Sequence, residues 1–395
     1  MIEIKDKKQC CGCEACVQVC PKQCISFKQD TEGFFYPEAD ASQCINCGLC
    51  DKACPMQSQF NSVQPIETLA AINVDEDIRL ESSSGGVFTL LAESVIAQGG
   101  VVFGVRFDKD FQAVYDVAET PEQLSAFRGS KYLQARVGDS FKNCKKILDQ
   151  NRLVLFSGTS CQISGLKHYL RKDYQNLLSV DFICHGTPSP IVWRKYIDEL
   201  KSENANTITK IEFRSKIEGW TSFRMKFDYV DNEGNRKTIS TPFYENIYMR
   251  AFLSNLILRP SCQNCPAKGG TSGSDITIAD FWGIQKVLPS MYDDKGTSLV
   301  IINTEKGNKA LDKKQLRYEQ VALADAIRHN PSYFSSVKFH PNRNSFFTQF
   351  AKGNVGVHEL IEQCLRLSLM QKIKKYAKKV LRRCRTIIFD YANRK

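Results

Sequence analysis

Cys10-Cys11-Gly12-Cys13-Glu14-Ala15-Cys16-Val17-Gln18-Val19-Cys20-Pro21 and Cys44-Ile45-Asn46-Cys47-Gly48-Leu49-Cys50-Asp51-Lys52-Ala53-Cys54-Pro55 are two copies of one pattern, Cys-x2-Cys-x2-Cys-x3-Cys-Pro. Thiolates are soft ligands that suit iron–sulfur clusters, and the short spacings let three from one loop cap three corners of a cubane. In paired runs of this kind the fourth Cys crosses to the other cluster. The rule predicts Cys10, Cys13, Cys16 and Cys54 around one [4Fe–4S] cluster, and Cys44, Cys47, Cys50 and Cys20 around the other. A zinc site or a disulfide knot is the alternative. Zinc takes four ligands, typically as two pairs, not two interlocked sets of four each followed by Pro. Residues 1–58 are therefore expected to form a two-cluster ferredoxin-like domain that moves electrons singly, with a hairpin-like stretch over Ile25–Tyr36.

Outward from this module, 395 residues exceed one typical core, so two or three domains are expected. Hydrophobic content of 42% and charged content of 25% fit a globular protein. The start, MIEIKDKKQC, has no apolar h-region, and no apolar run is long enough for a bilayer span. Clusters and free thiols belong in a reducing compartment, so a cytoplasmic location is expected. The net charge of +11 is uneven: residues 366–395 hold eleven Lys or Arg against Asp390, leaving the rest near neutral. A near-neutral body with one basic tail does not suggest a nucleic-acid partner.

A polar linker over 59–67 precedes a change of texture. Leu69–Val74 and Val101–Phe107 read as strands around a helix at Gly85–Gln98. Leu153–Phe156 and Leu177–Cys184 are buried-type apolar runs, followed by helices from about Ser160 and Pro190. Strands broken by helices at this rhythm predict an α/β core over 68–345, divisible into 68–150 and 151–345. Period-two strands around Asn232-Glu233-Gly234 (Ile211–Arg214, Phe223–Tyr229) predict an antiparallel extension, and Ser274–Asn303 returns to short buried strands.

Several loops carry candidate chemistry. Ser82-Ser83-Ser84-Gly85-Gly86 opens a helix with small residues, which suits a phosphate from a flavin or nucleotide, or is a plain cap. Phe156-Ser157-Gly158-Thr159-Ser160-Cys161 puts a Cys near a helix N-terminus, where a thiol pKa falls. Cys184 ends a buried strand, and Cys262-x2-Cys265-Pro266 lies in a loop after Arg259-Pro260. Cys161, Cys184, Cys262 and Cys265 are candidates for a third [4Fe–4S] cluster, with zinc and inert buried thiols as rivals. Cys11, Cys24, Cys144, Cys364 and Cys384 read as ordinary thiols. His185, Lys131 and Asp280 are the catalytic candidates, and Arg214, Lys216 and Trp220 could line an anionic pocket.

The ordered set SSSGGVF, RGSKY, FSGTSCQ, DFICHGTPSP, FRSKIEGW, CQNC and DITIADFWG resembles the coenzyme F-420 hydrogenase/dehydrogenase beta-subunit family, from about residue 8 to 303. More narrowly, it is similar to bacterial members with an N-terminal two-cluster ferredoxin, often found with surface-polysaccharide genes. The resemblance implies an iron–sulfur flavoprotein with FAD and a further cluster. Ser83, Ser84, Gly85, Gly86, Lys131 and Thr159 would fall near the flavin, and Cys161, Cys184, Cys262 and Cys265 near the extra cluster. One departure is visible: the family's Gly-Thr-Pro-Cys turn is Gly158-Thr159-Ser160-Cys161 here, which frees the backbone without removing the ligand.

The expected fold is α/β: a two-cluster ferredoxin-like domain fused to a mixed α/β flavin-binding domain, with a basic helical tail over 356–395. In that tail Leu365, Leu369, Ile373, Tyr376, Val380, Cys384 and Ile387 make one apolar stripe among Lys and Arg. Such a helix lies on anionic lipid, giving a peripheral contact at the inner membrane face, or packs on the body with its charges in water. The expected function is an oxidoreductase passing electrons between clusters and FAD to act on a small organic substrate, by analogy one of surface-polysaccharide synthesis. Its expected partner is a low-potential electron donor or acceptor protein. The alternative is a non-catalytic electron carrier docking on a partner enzyme.

Overall fold

A computed structural model of the chain describes residues 1–58, 60–204 and 207–366. The two cysteine runs flank an antiparallel hairpin of β1 (Ile25–Gln29) and β2 (Phe35–Ala39), paired from Ile25↔Ala39 to Gln29↔Phe35. Each run turns into a short helix, α1 (Ala15–Val19) or α2 (Leu49–Lys52), behind a residue of left-handed φ: Glu14 at 62° and Gly48 at 70°. The small core here is Ile2, Cys16, Cys24, Ile25 and Cys50. Apolar burial on this scale is too thin to hold a module of this length, so a further staple is needed.

The body is built on an eight-stranded mixed sheet. Its strands are β3 (Glu67–Asn73), β4 (Val101–Phe107), β5 (Ala113–Ala118), β6 (Val154–Thr159) and β7 (Leu177–Phe182). After an insertion come β11 (Ile276–Asp280), β12 (Ser298–Ile302) and β13 (Leu316–Gln320). The order is β13-β3-β12-β11-β7-β6-β4-β5. β4, β6, β7 and β11 run parallel, and the remaining neighbours pair antiparallel. Strands covered on both faces read as continuous apolar runs, as Val154–Phe156 and Leu299–Ile302 do. One face packs α4 (Val87–Ala97) through Val87, Leu91 and Val95. The other packs α5 (Ser140–Asp149) and α6 (Ser160–Leu170) through Phe141, Ile163 and Leu166.

The insertion is β8 (Thr207–Ser215), β9 (Arg224–Val230) and β10 (Arg236–Pro242), an antiparallel sheet as its alternation predicts. A register shift between Glu212 and Ser215 breaks the alternation. Phe213 and Arg214 are consequently both buried, where a regular strand would expose one.

Three expectations shift. The first body strand begins at Glu67, inside the expected linker, because its backbone pairs with Ile302 and its carboxylate with Lys313. α3 (Glu76–Glu81), capped by Asp75, and the edge strands β5 and β13 carry too much charge for apolar periodicity to reveal them. The helix expected from Gly85 starts at Val87, with Gly86 at φ 83° before it. The tail beyond Arg366, and with it the apolar stripe from Leu369 to Ile387, lies outside the described residues; Val357–Leu365 is helical. No described helix is long and apolar enough to cross a membrane.

Buried polar contacts dock the cysteine runs on the body. The Glu14 carboxylate, 4% exposed, pairs with Arg136 at 2.9 Å and accepts the Val137 N–H at 3.0 Å. Gln18 Oε1 accepts the Phe141 and Lys142 N–H groups in the first turn of α5. Gly165 of α6 leaves room for Cys13: a Cβ there would sit 2.9 Å from its Sγ. Glu14→Ala strips the Val137 N–H of its acceptor and Arg136 of its counter-charge. It is expected to cost about 2 kcal/mol, seen as a lower denaturant midpoint with iron content unchanged.

Candidate functional site

The carboxyl ends of β6, β7 and β11 lie side by side, the edge at which α/β folds gather functional groups. Cys161 is the second residue of α6, Cys184 follows β7 by two residues, and Asp280 ends β11. Ser160 occupies the first helical position, where Pro is favoured, and a capping box between Thr159 and Gln162 fixes the turn. Cys262 and Cys265 arrive on the helical turn Pro260–Asn264 and the residue after it. These four thiols line one recess, and Cys11 lines it too. Among the described residues, no three Cys, His, Asp or Glu side chains converge as a single metal ion requires.

Burial pushes the Cys184 and Cys265 thiols up, and Cys262 up to about 12. Cys161 is also pushed up, first by its hydrogen bond with Cys11 and then by burial. This reverses the expected lowering, because a neighbouring thiol and dry surroundings outweigh the helix dipole. The Thr187 N–H already points at Cys262 Sγ, 3.3 Å away.

Above the recess opens a cavity of ≈ 630 Å³ that shares Cys11, Cys161, Cys184 and His185 with it. Its polar lining includes Ser82, Ser83, Ser84, Gly86, Arg128 and Ser130, and its apolar lining Phe223, Phe243, Phe252, Met249 and Trp282. Arg214 joins the two, donating to Ser83 O at 3.2 Å with its guanidinium 4.2 Å from the Phe223 ring centre. Volume and lining match a mostly apolar small-molecule site with a few placed polar groups. Two buried donors on its lining residues, Arg128 Nε and Arg214 Nε, have no partner among the described residues, although buried donors are normally paired. A ligand that carries both an anionic group and a ring system finds lining of both kinds here.

Three family matches accompany this geometry. A 4Fe-4S dicluster domain matches residues 9–58. The coenzyme F420 hydrogenase/dehydrogenase beta subunit matches in two parts, its N-terminal part over 68–141 and its C-terminal part over 151–325, together well over half of the chain. The chain belongs to this family. A family of hydrogenase and dehydrogenase beta subunits, joined here to a 4Fe-4S domain, makes it an iron–sulfur protein of oxidoreductase type. No curated protein matches it. Among solved structures, a chain of the F420-reducing [NiFe] hydrogenase complex from Methanosarcina barkeri matches with TM-score 0.42 and 17% identity, over 75% of this chain and 91% of that one.

The site candidates meet different fates. Ser83, Ser84, Gly86, Thr159, Lys131, His185, Arg214 and Asp280 line the cavity. Gly85 faces the sheet instead: its N–H donates to Ser298 Oγ, and a Cβ would sit 2.4 Å from Ala71 O. The Ser82 and Ser84 hydroxyls donate to backbone carbonyls, so they are not free donors. Lys131 Nζ donates to the carbonyls of Ala126, Phe127 and Arg128, while burial pulls its pKa down to about 7. Lys216 ties down the carbonyls of Arg79, Ser84 and Lys295, and its burial has the same effect. Lys216 thus braces the serine loop rather than lining the cavity. Trp220 stacks on Trp282 at 4.8 Å and donates to Asp280 at 2.9 Å.

Asp280 takes both Nη atoms of Arg214, at 2.8 and 3.1 Å. Burial opposes the charge on Arg214, and Asp280 outweighs it, so the guanidinium stays protonated. His185 Nε2 meets Asn255 Oδ1 at 2.7 Å, and Asn255 is fixed because its Nδ2 donates to Lys338 O. The Nε2–H is therefore the donor, and burial lowers the pKa, which leaves Nδ1 as the acceptor of a neutral ring. Two residues escaped the sequence reading. The free Cys11 thiol lies beside those of Cys13 and Cys161, and its only signal was its place beside Cys10. Arg259 showed only as the neighbour of Pro260.

Proposed function

We propose that the chain is an iron–sulfur flavoprotein oxidoreductase that passes electrons between [4Fe–4S] clusters and FAD and so reduces or oxidises an organic substrate. The carrying observation is the cavity that shares Cys161 and Cys184 with the recess holding Cys262 and Cys265. It supports the enzyme reading over a bare electron carrier, which needs no cavity. Cys10, Cys13, Cys16 and Cys54 would hold the inner cluster, and Cys44, Cys47, Cys50 and Cys20 the outer one. The four recess thiols would hold the third. Bound there, the clusters supply one-electron transfer and the flavin joins one- to two-electron chemistry.

The chain's own residues do the rest. Cys47 is exposed and Ile45 is 57% exposed beside it, which makes this end the docking point for a low-potential electron-transfer protein. Gly86, Arg128 and Ser130 receive an anionic group in the cavity, and Thr159 holds the turn that presents Cys161. Phe223, Phe252 and Trp282 exclude water from the cavity. His185 offers Nδ1 as proton acceptor, and the Arg214–Asp280 pair fixes the wall against Trp282. By analogy with the resemblance, the substrate class is a sugar or nucleotide-sugar intermediate of surface-polysaccharide synthesis.

Anaerobic purification followed by iron, sulfide, zinc and flavin analysis tests the reading. About twelve irons and one FAD per chain are expected for three cubanes. About eight irons with one zinc reassigns the recess; about eight with no flavin leaves an electron carrier.

A further inference from the structure

Between the cysteine runs and the sheet lies a charge that the proposed mechanism does not use. Arg259 is 1% exposed. Its Nε donates to Cys10 O at 2.8 Å, Nη1 to Gln134 Oε1 at 2.9 Å, and Nη2 to Phe35 O at 2.8 Å. Nη2 also reaches Cys10 Sγ at 3.4 Å. The guanidinium lies 4.4 Å from the centre of the Tyr36 ring and 5.5 Å from that of Phe34. Its hydrogen-bond partners are two carbonyls, an amide and a thiol; none is a carboxylate. Hydrogen bonding is thus satisfied while the charge is not, and a buried cation without a counter-charge costs several kcal/mol.

Packing around this side chain is committed to it. Gly12 has φ 74°, and a Cβ there would lie 2.3 Å from Gln134 Nε2 and 3.0 Å from Arg259 Cζ. The Arg259 carbonyl accepts the Cys262 N–H at 3.0 Å, so one residue ties the first cysteine run to the recess loop. The counter-charge it lacks is what the thiolates of Cys10 and its partners carry once they hold iron.

We infer that Arg259 sets the reduction potential of the cluster held by Cys10, Cys13, Cys16 and Cys54. The inference rests on the two-cluster reading of the cysteine runs. In the step concerned, one electron leaves a low-potential one-electron donor and enters the iron; no proton moves and no bond forms or breaks. The reduced unit is more negative by one charge, so a buried cation donating to its sulfur favours it and raises the potential. Salt screens such a buried charge little. The cations near the outer set, the Met1 ammonium beside Cys44 and Cys50 and Lys22 on the same recess, are exposed and therefore screened by solvent, so an electron arriving at Cys47 runs downhill toward the body. Arg259 is a positioning and potential-setting residue, not a catalytic one.

The test is an anaerobic redox titration of the full chain followed by electron paramagnetic resonance, with dithionite as reductant, on wild type, Arg259→Gln and Arg259→Lys. Arg259→Gln removes the charge and keeps an amide donor. It is expected to lower one step by at least a tenfold change in the reduced-to-oxidised ratio, which is 59 mV for one electron. Arg259→Lys keeps the charge, loses the fork that reaches Cys10 Sγ, and is expected to fall by less. At least one other step stays at its wild-type potential, which a general loosening of the structure does not allow. An iron-replete Arg259→Gln protein with every step unmoved, or with all steps displaced together, overturns the inference. If Arg259→Gln fails to retain iron, Arg259→Lys decides, and an unmoved potential there overturns it as well. Wild type lacking the paired clusters is a different failure, which removes the two-cluster reading itself.

Discussion

Cys262→Ser is expected to remove about four of about twelve irons while the flavin stays bound, and to slow flavin reduction from the ferredoxin end by more than about 100-fold. Serine replaces a soft thiolate with a hard oxygen that ligates such clusters poorly. The substitution is nearly isosteric, and the Thr187 N–H keeps an acceptor at that position. Ser83, Arg128 and Ser130, which line the cavity, come from other segments than Cys262, so flavin retention should not follow the iron. Iron and flavin analysis, with stopped-flow reduction by a low-potential ferredoxin, reads both halves. Unchanged iron with one zinc lost would sink the cluster assignment. Cys11→Ser belongs beside it, because Cys11 is a fifth thiol on the same recess. Loss of iron there would mean the ligand set includes Cys11.

The sequence announced the cysteine runs because metal ligation fixes spacing within one loop, and spacing is what a sequence displays. It announced the parallel strands because strands buried on both faces are apolar without interruption. Edge strands such as β5 and β13 escaped, since one side of each meets solvent and Asp116 and Glu319 dilute the pattern. The cavity wall was legible only in part. Asp280 and Trp282 stand out at a strand end, but the partner of Asp280 is Arg214, 66 residues earlier, delivered by a bulge that no periodicity signals. Arg259 escaped for a related reason. Its four contacts lie 125 to 249 residues away in sequence, and a lone Arg before a Pro reads as a surface residue until the fold encloses it.

Asp280→Ala should be among the most damaging single changes to the cavity wall. Arg214 is 3% exposed at its side chain, and Asp280 supplies both hydrogen bonds to its Nη atoms that carry charge compensation. The same carboxylate accepts the Trp220 indole N–H, so its loss orphans donors on two buried side chains. Breaking a buried pair by removing one partner costs about 4 kcal/mol, and that is the expected loss in a denaturant titration. Asp280→Asn keeps the shape and one acceptor and should cost about half as much. The pair Arg214→Met with Asp280→Leu removes both charges together, and apolar replacement of a whole buried ion pair is close to neutral. Stability should therefore recover to within about 2 kcal/mol of wild type, the remainder being the buried Trp220 N–H that Leu leaves without an acceptor, and double-mutant analysis measures the coupling directly. An Asp280→Ala protein within about 0.5 kcal/mol of wild type would show that water replaces the carboxylate and that the pair does not frame the wall. Flavin content then separates two roles for the ion pair. If the restored double variant keeps its flavin, the pair acts as a brace for Trp220 and Trp282. If it is stable but empty, Arg214 holds the flavin itself, through the Nε–H that no group among the described residues accepts.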